Sequence, residues 1–210
     1  MGATKSDTAA LHASEQLVEP TCPTAADVLS GVVAGERWAH SALYDTLYPV
    51  VARTLQKVLQ DTSGDYEDLV QACFERIVQT LVGAGAKRVV NLSAWGGAIA
   101  AHVALDALRS RIRERKLFER PVLGSSRIES VPAPNVERQL EARHQLLWLQ
   151  DALARMNQDQ ANTVVLHDLL GHDLVEVASI MNVSVAAAQR RLSRGHKELL
   201  RRAKASGRCA

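Results

Sequence analysis

Aromatic side chains make up only 4% of this 210-residue chain, so its cores have to be filled by small and aliphatic residues, a composition that suits close helix packing. No run approaches the ~20 consecutive apolar residues of a membrane span. The opening MGATKSDTAALHASEQ also lacks the charged-then-apolar order of a secretory leader. Membrane insertion is therefore not expected, and a cytoplasmic location is. Cysteine occurs only at positions 22, 73 and 209, a spacing that fits no metal-ligand pattern and points to reduced thiols. Paired carboxylates, a Cys/His constellation and a phosphate loop are all missing at workable spacing. No catalytic residue, metal or cofactor is expected, and an enzyme is the least supported class.

What the chain has instead is helical periodicity from Thr24 onward. Ala25 to Val33 forms a short segment ended near Gly35. Glu36 to Leu47 continues with Trp38, Leu43 and Leu47, and Pro49 is expected to open a further helix, proline being tolerated in a first turn. From Asp65 to about Leu81, Leu69, Val70, Cys73, Phe74, Ile77, Val78 and Leu81 make a broad apolar stripe. That stripe leaves Asp68, Gln71, Glu75 and Gln79 on the opposite face. A basic Gly-rich loop ending in Lys87 and Arg88 leads to Asn91–Ser93, which can cap a helix from about Ala94 to Lys116 that ends RSRIRERK. Residues 118–136 hold Pro121, Pro132, Pro134 and Gly124-Ser125-Ser126 without a sustained period, and read as a linker. Helical spacing resumes near Glu137; Asn157, with Gln160 three residues on, can cap a helix through Leu170 that Gly171 ends.

The expected fold is all-α, two small helical domains joined by a flexible linker. A mobile tail spans 1–23, a first domain 24–117, the linker 118–136, a second domain 137–204 and a basic C-terminal tail 205–210.

The most informative stretch is His172 to Arg202, HDLVEVASIMNVSVAAAQRRLSRGHKELLRR. Asp173 with Glu176 is a capping box, followed by Leu174, Val177, Ala178 and Met181 at helical spacing. Asn182-Val183-Ser184 breaks that helix, and Ser184 can cap the next. At about 100° per residue, Val185, Ala188, Leu192 and Leu199 fall on an inner side, and Arg190, Arg194, Lys197 and Arg201 on an outer one. Helix, short turn and basic helix is the arrangement of a DNA reader, its first turns offering side chains to base edges and its later cations meeting phosphates. A solvated cationic surface is the ordinary alternative.

The formal net charge is only +2, but its sign alternates along the chain. Lys+Arg against Asp+Glu runs 5 to 11 over residues 1–85, 10 to 5 over 86–140, 2 to 6 over 141–182 and 8 to 1 over 183–210. Two basic segments imply two separate polyanion contacts, each backed by an acidic surface that suits a basic partner.

In their order these pieces resemble a bacterial RNA polymerase sigma factor of the extracytoplasmic-function (ECF) group of the sigma-70 family, over about residues 26–116 and 137–203. Asp68-Leu69-Val70-Gln71 is similar to the family's D-L-V-Q in the helix that docks on the polymerase clamp. Ala94-Trp95, Ile99-Ala100 and Asp106-Ala107-Leu108-Arg109 resemble A-W-x-x-x-I-A followed by D-x-L-R in the helix leading to the −10 element. Val183-Ser184-Val185 and Gln189-Arg190-Arg191-Leu192-Ser193-Arg194 resemble the recognition helix for the −35 element.

The resemblance implies no covalent chemistry. It implies core RNA polymerase and promoter DNA as partners, and an anti-sigma factor or other regulator as a third. It puts polymerase binding on Asp68, Leu69, Val70, Gln71 and Glu75. Contacts to the −10 element fall on Lys87, Arg88, Asn91, His102, Arg109 and Arg113. Contacts to the −35 element fall on Ser184, Gln189, Arg190, Arg191, Ser193, Arg194, Lys197 and Arg201. The rival is a homodimeric helix-turn-helix repressor or activator that uses the same basic helix without replacing a sigma factor.

Overall fold

The computed structural model describes residues 23–60, 65–84, 89, 91–118 and 134–207, and among these every element is helical. The short helix α1 (Ala25–Val33) starts at a capping box in which Thr24 and Asp27 bond each other's backbone N–H. Helix α2 (Arg37–Leu59) follows, and then α3 (Tyr66–Ala84) and α4 (Leu92–Phe118). A second group comprises α5 (Pro134–Ala154), α6 (Gln158–Val164), α7 (Leu174–Ile180) and α8 (Val185–Ala205).

The proline expected to open a helix lies inside one: α2 runs unbroken through Pro49. An interior proline costs about 3 kcal/mol. Leu43, Leu47, Val51 and Leu55, at spacing four on both sides of it, are all buried to 1% exposure or less. Burying each such side chain is worth about 1.5–3 kcal/mol, so packing of a continuous stripe outweighs one lost hydrogen bond. Helix α5 likewise begins at Pro134 rather than near 137, with proline in the first-turn position that tolerates it.

Helix α2 lies so close to α4 that a Cβ on Gly96 would come within 2.9 Å of Leu47 Cδ2. Cys73 sits in the same core at 0% exposure, and burial pushes its thiol up to about 12, which keeps it protonated and inert. The tail to residue 22 and the loop of Lys87 and Arg88 lie outside the described residues, as does nearly all of the expected linker; Phe118 and residues 134–136 are already helical.

The two groups of helices touch. One apolar cluster continues from α1–α4 into Leu153 and Ala154 of α5, Met156 in the turn after it, Ala161 and Val164 of α6 and Leu192 of α8. Polar bonds cross the same seam. Gln150 Nε2 donates to the carbonyls of Val58 (3.0 Å) and Leu59 (2.7 Å), satisfying the open C-terminal end of α2. Arg109 Nε donates to Ala154 O (3.2 Å) at the end of α5, and Lys57 Nζ reaches Leu169 O (3.4 Å).

Candidate nucleic-acid interface

The second group folds locally as its caps dictate. Asn157 accepts from the N–H groups of Asp159 and Gln160 at the start of α6. Asp173 and Glu176 complete the box at α7, and Ser184 Oγ accepts from Ala187 N–H at the start of α8. Helix α6 passes into a π-helical turn over Val165–Leu169, and Gly171, at φ +82°, ends it in the left-handed region that favours glycine.

Helix α8 has two distinct sides. Ala188 (0% exposed) and Leu192 (5%) are buried, and so is Gly195, whose absent side chain lets α8 approach α6. A Cβ there would stand 2.6 Å from Val164 Cγ2. Leu199 is half-buried, whereas Val185, expected on the packed side, is 45% exposed because it lies in the first turn, at the edge of what α7 covers. On the outer side Gln189, Arg190, Arg194 and Lys197 are exposed. Arg190, Arg194 and Lys197 have no ion-pair partner among the described residues.

The other candidates on this helix are engaged. Arg191 turns back to Asp159 of α6 (Nη2 to Oδ2, 2.7 Å), and Ser193 is half-buried. Arg201 is exposed but clasps Glu198 with both Nε (2.8 Å) and Nη2 (2.6 Å). Glu198 is the single carboxylate in the basic C-terminal segment and takes no part in the expected site. Its spacing of three and four to Arg201 and Arg202 was the available signal. Hydrogen bonds from those two guanidiniums hold its carboxyl down at about 2. A second unforeseen cluster ties the π-turn to α8: Asp168 accepts from His167 Nδ1 and His196 Nε2, both at 2.7 Å.

Of the remaining described candidates, Asn91 lies just before α4, and His102, Arg109 and Arg113 lie on it along one side at helical spacing. Asn91 caps the helix, its Oδ1 accepting from Ala94 N–H (3.0 Å), and Arg113 is exposed. His102 and Arg109 instead meet the second group. His102 Nε2 lies 3.0 Å from Asn162 Nδ2, in a cleft of about 360 Å³ also lined by Arg76, Asp159 and Arg191. Asp106 sits between them, accepting from Arg109 Nη1 (3.0 Å) and Gln158 Nε2 (3.4 Å) and facing Arg76 of α3 (3.8 Å). Two polar atoms in this seam are buried without a partner, Arg109 Nη2 and Asn162 Oδ1. Each such orphan costs about 1–3 kcal/mol, so the seam is weaker than its apolar area implies.

Burial lowers the His102 pKa, the Asp106 carboxylate offsetting part of the effect and Arg76 and Arg109 adding to it. A histidine whose folded pKa is lowered contributes stability that is present above its ordinary value of about 6.5 and is lost as pH falls below it. His102→Gln should therefore narrow the difference in melting temperature between pH 7.5 and pH 5.5. An unchanged difference would remove His102 as a source of the acid sensitivity.

On α3, Asp68, Gln71 and Glu75 form an exposed polar row, with Gln71 Nε2 donating to Glu75 Oε1 (2.9 Å). Leu69 is half-buried and packs against the core, and Val70 is 7% exposed within it.

Two family models match the segments that carry these surfaces. A model described as Sigma-70 region 2 matches residues 43–114, and one described as Sigma-70, region 4 matches residues 146–199. The chain belongs to the sigma-70 family. Region 2 takes in most of α2, all of α3 and α4 as far as Glu114; region 4 takes in the end of α5 and reaches Leu199 of α8. No curated protein matches this sigma-70 family chain. Among the described residues no helix is long and apolar enough to cross a membrane, and no group of three or more His, Cys, Asp or Glu could hold a metal ion.

Proposed function

We propose that this sigma-70 family protein is a sigma factor of the ECF group, which binds core RNA polymerase and directs initiation at promoters that it reads at the −35 and −10 elements. One observation carries the reading. The α8 helix of region 4, capped by Ser184 and seated on α6 at Gly195, turns outward three cations, at positions 190, 194 and 197, that have no ion-pair partner among the described residues. A rigid, cationic helix of this kind fits a major groove. Region 2 supplies the rest of the reading, with Asp68, Gln71 and Glu75 docking on a basic polymerase surface and Asn91, Lys87, Arg88, Arg109, Arg113 and His102 on the −10 side. Leu69 and Val70 support the docking helix from within.

Residues 24–117 and 137–204 are taken as the two functional units and 118–136 as their tether. The chain works in the cytoplasm, and an anti-sigma factor or other regulator would act by covering one of the three surfaces. Run-off transcription with purified core polymerase, followed by sequencing of the start sites, tests the whole reading. Initiation from a distinct set of promoters supports it. A chain that instead binds an inverted repeat tightly as a free dimer, without changing start-site choice, is a repressor or activator.

Within α8 the roles divide. Arg190→Ala should reduce discrimination at the −35 element by about 1–3 kcal/mol, the value of a bidentate base contact. Lys197→Ala should weaken binding to all sequences alike and reduce the slope of log K against log salt by about one. Holoenzyme binding to matched and mismatched −35 duplexes at several salt concentrations separates the two; equal losses on every duplex for both variants would take Arg190 out of base reading.

A further inference from the structure

Helix α8 is held to the rest of region 4 by more than its apolar stripe. Ala188, Leu192, Gly195 and Leu199 form that stripe, and at ~100° per residue Arg191 and His196 fall about 70° to either side of its centre. Each flank carries one side-chain tie. Arg191 Nη2 meets Asp159 Oδ2 in the first turn of α6 (2.7 Å), and His196 Nε2 donates to Asp168 Oδ2 in the π-helical turn that follows α6 (2.7 Å). Ties on opposite flanks oppose rotation of the helix in both senses, which a smooth apolar stripe by itself does not.

The second tie is built to hold direction. The Asp168 carboxylate is itself oriented, its other oxygen accepting from His167 Nδ1 (2.7 Å). Its turn is anchored by Leu170 N–H on Val165 O (3.0 Å), His172 N–H on Leu166 O (3.1 Å) and Lys57 Nζ of α2 on Leu169 O (3.4 Å). Short π-helical turns of this kind are frequent at functional sites. Burial works to raise the Asp168 carboxyl, but hydrogen bonds from His167 and His196, and their charge, outweigh it and hold the group below its ordinary value. The three side chains are 34% to 50% exposed, and a pair that exposed adds little to stability. What it supplies is aim, because Arg190, Arg194 and Lys197 stand on the far side of the same helix and swing with its roll.

We propose that Asp168 and His196 are a positioning pair for promoter reading, through which the π-helical turn fixes the roll of α8 and so the angle at which its outer cations meet the −35 duplex. The proposal rests on the sigma-factor reading and adds to it two residues outside its set of DNA contacts. A base contact needs both partners in hydrogen-bonding geometry, whereas a phosphate contact through a long side chain tolerates displacement. Loss of the pair therefore lowers discrimination between promoters more than overall affinity for DNA. The tie also responds to pH. Histidine side chains take up a proton between about pH 8 and pH 5, and a protonated His196 makes a charge-assisted bond with Asp168. Facing it are Asp168 and His167 on the turn, with Lys197 beside it on α8 and Lys57 reaching the turn from α2.

Holoenzyme made from the full-length chain and core polymerase, titrated with matched and mismatched −35 duplexes at pH 6 and pH 8, tests this. Asp168→Ala and His196→Ala should each cut the preference for the matched duplex about fivefold or more, the lower end of what one bidentate base contact is worth. Uptake by polymerase should be unchanged, and the melting temperature lowered by less than about 4 °C. His196→Gln, whose amide can still donate from the place of Nε2, should keep the parent's preference at pH 8 and lose the parent's gain on going to pH 6. Asp168→Ala with the parent's preference overturns the pairing. So does an equal loss on every duplex, which makes the cluster a source of charge or stability alone, and so does a pH gain that survives in His196→Gln. A loss with His196→Ala but not with Asp168→Ala overturns it as well, since His196 then touches DNA by itself. A parent chain that polymerase never takes up, or takes up without any −35 preference, removes the sigma reading instead and leaves α8 nothing to aim at.

Discussion

Gly195→Val should lower the melting temperature of the chain by roughly 10 °C and abolish recognition of the −35 element together with it. At this position any Cβ meets Val164 Cγ2 at 2.6 Å, with Met156 Cε and the Gln160 carbonyl oxygen both at 3.5 Å. Val164 (6% exposed) and Met156 (6%) are themselves in the core and have little room to yield. Overpacking of this kind costs about 1–3 kcal/mol, and valine adds a branched side chain beyond the Cβ, which puts the cost at the upper end. For a protein of this size each kcal/mol is worth about 2–4 °C.

Recognition falls with stability because α8 can relieve the clash only by lifting from α6, which breaks the Arg191–Asp159 pair and tilts the outer cations. Arg194→Ala, one residue away on the exposed side, is the control, with a stability change within about 0.5 kcal/mol. Thermal unfolding of the two variants decides the matter. Equal melting temperatures would mean that α8 does not pass this close to α6.

Gly195 also shows where a single sequence stops being informative. The helix-turn-helix was legible because its signals are local: Asp173 with Glu176, Ser184, and apolar residues at helical spacing each act within one or two turns. A glycine in mid-helix carries no such signal. Its meaning lies in a neighbour some thirty residues earlier, and periodicity alone puts the exposed Val185 on the inner side with Ala188 and Leu192. The same limit explains Pro49. Local rules treat proline as a helix opener, and only the burial of Leu47 and Val51 on either side shows that the helix passes through it.

For the candidate site, chemistry was legible and orientation was not. Arg191 and Arg201 look like their neighbours in sequence, but the first is drawn back by Asp159 and the second is clasped by Glu198. Asp159 is thirty-two residues from Arg191, beyond any local pattern, whereas Glu198 to Arg201 is a spacing of three that could have been read. The meeting of His102 with Asn162 could not have been, since it joins two groups of helices that the sequence presents as separate.

Asp68→Arg should reduce retention of core polymerase about thirtyfold while leaving the fold intact. The carboxylate lies in the first turn of α3, where a negative charge favours the positive end of the helix dipole. Reversing it there costs the helix about 1 kcal/mol or less at an exposed position, a small fraction of the 5–15 kcal/mol typical of a folded domain. Against a basic polymerase surface the same change turns an attraction into a repulsion, worth about 2 kcal/mol or more when the pair is desolvated on docking. The interface therefore loses more than the fold, and the two can be told apart by measuring both.

Glu75→Arg, two turns along the same exposed row but bonded to Gln71, should have a smaller effect of the same sign, because part of its charge is already occupied. Copurification with core polymerase at two salt concentrations reads the loss, which should shrink at higher salt as screening weakens the contact. If Asp68→Arg is retained as well as the parent while its melting temperature is unchanged, the acidic row of α3 is not the docking surface. The partner must then be sought on another face of region 2.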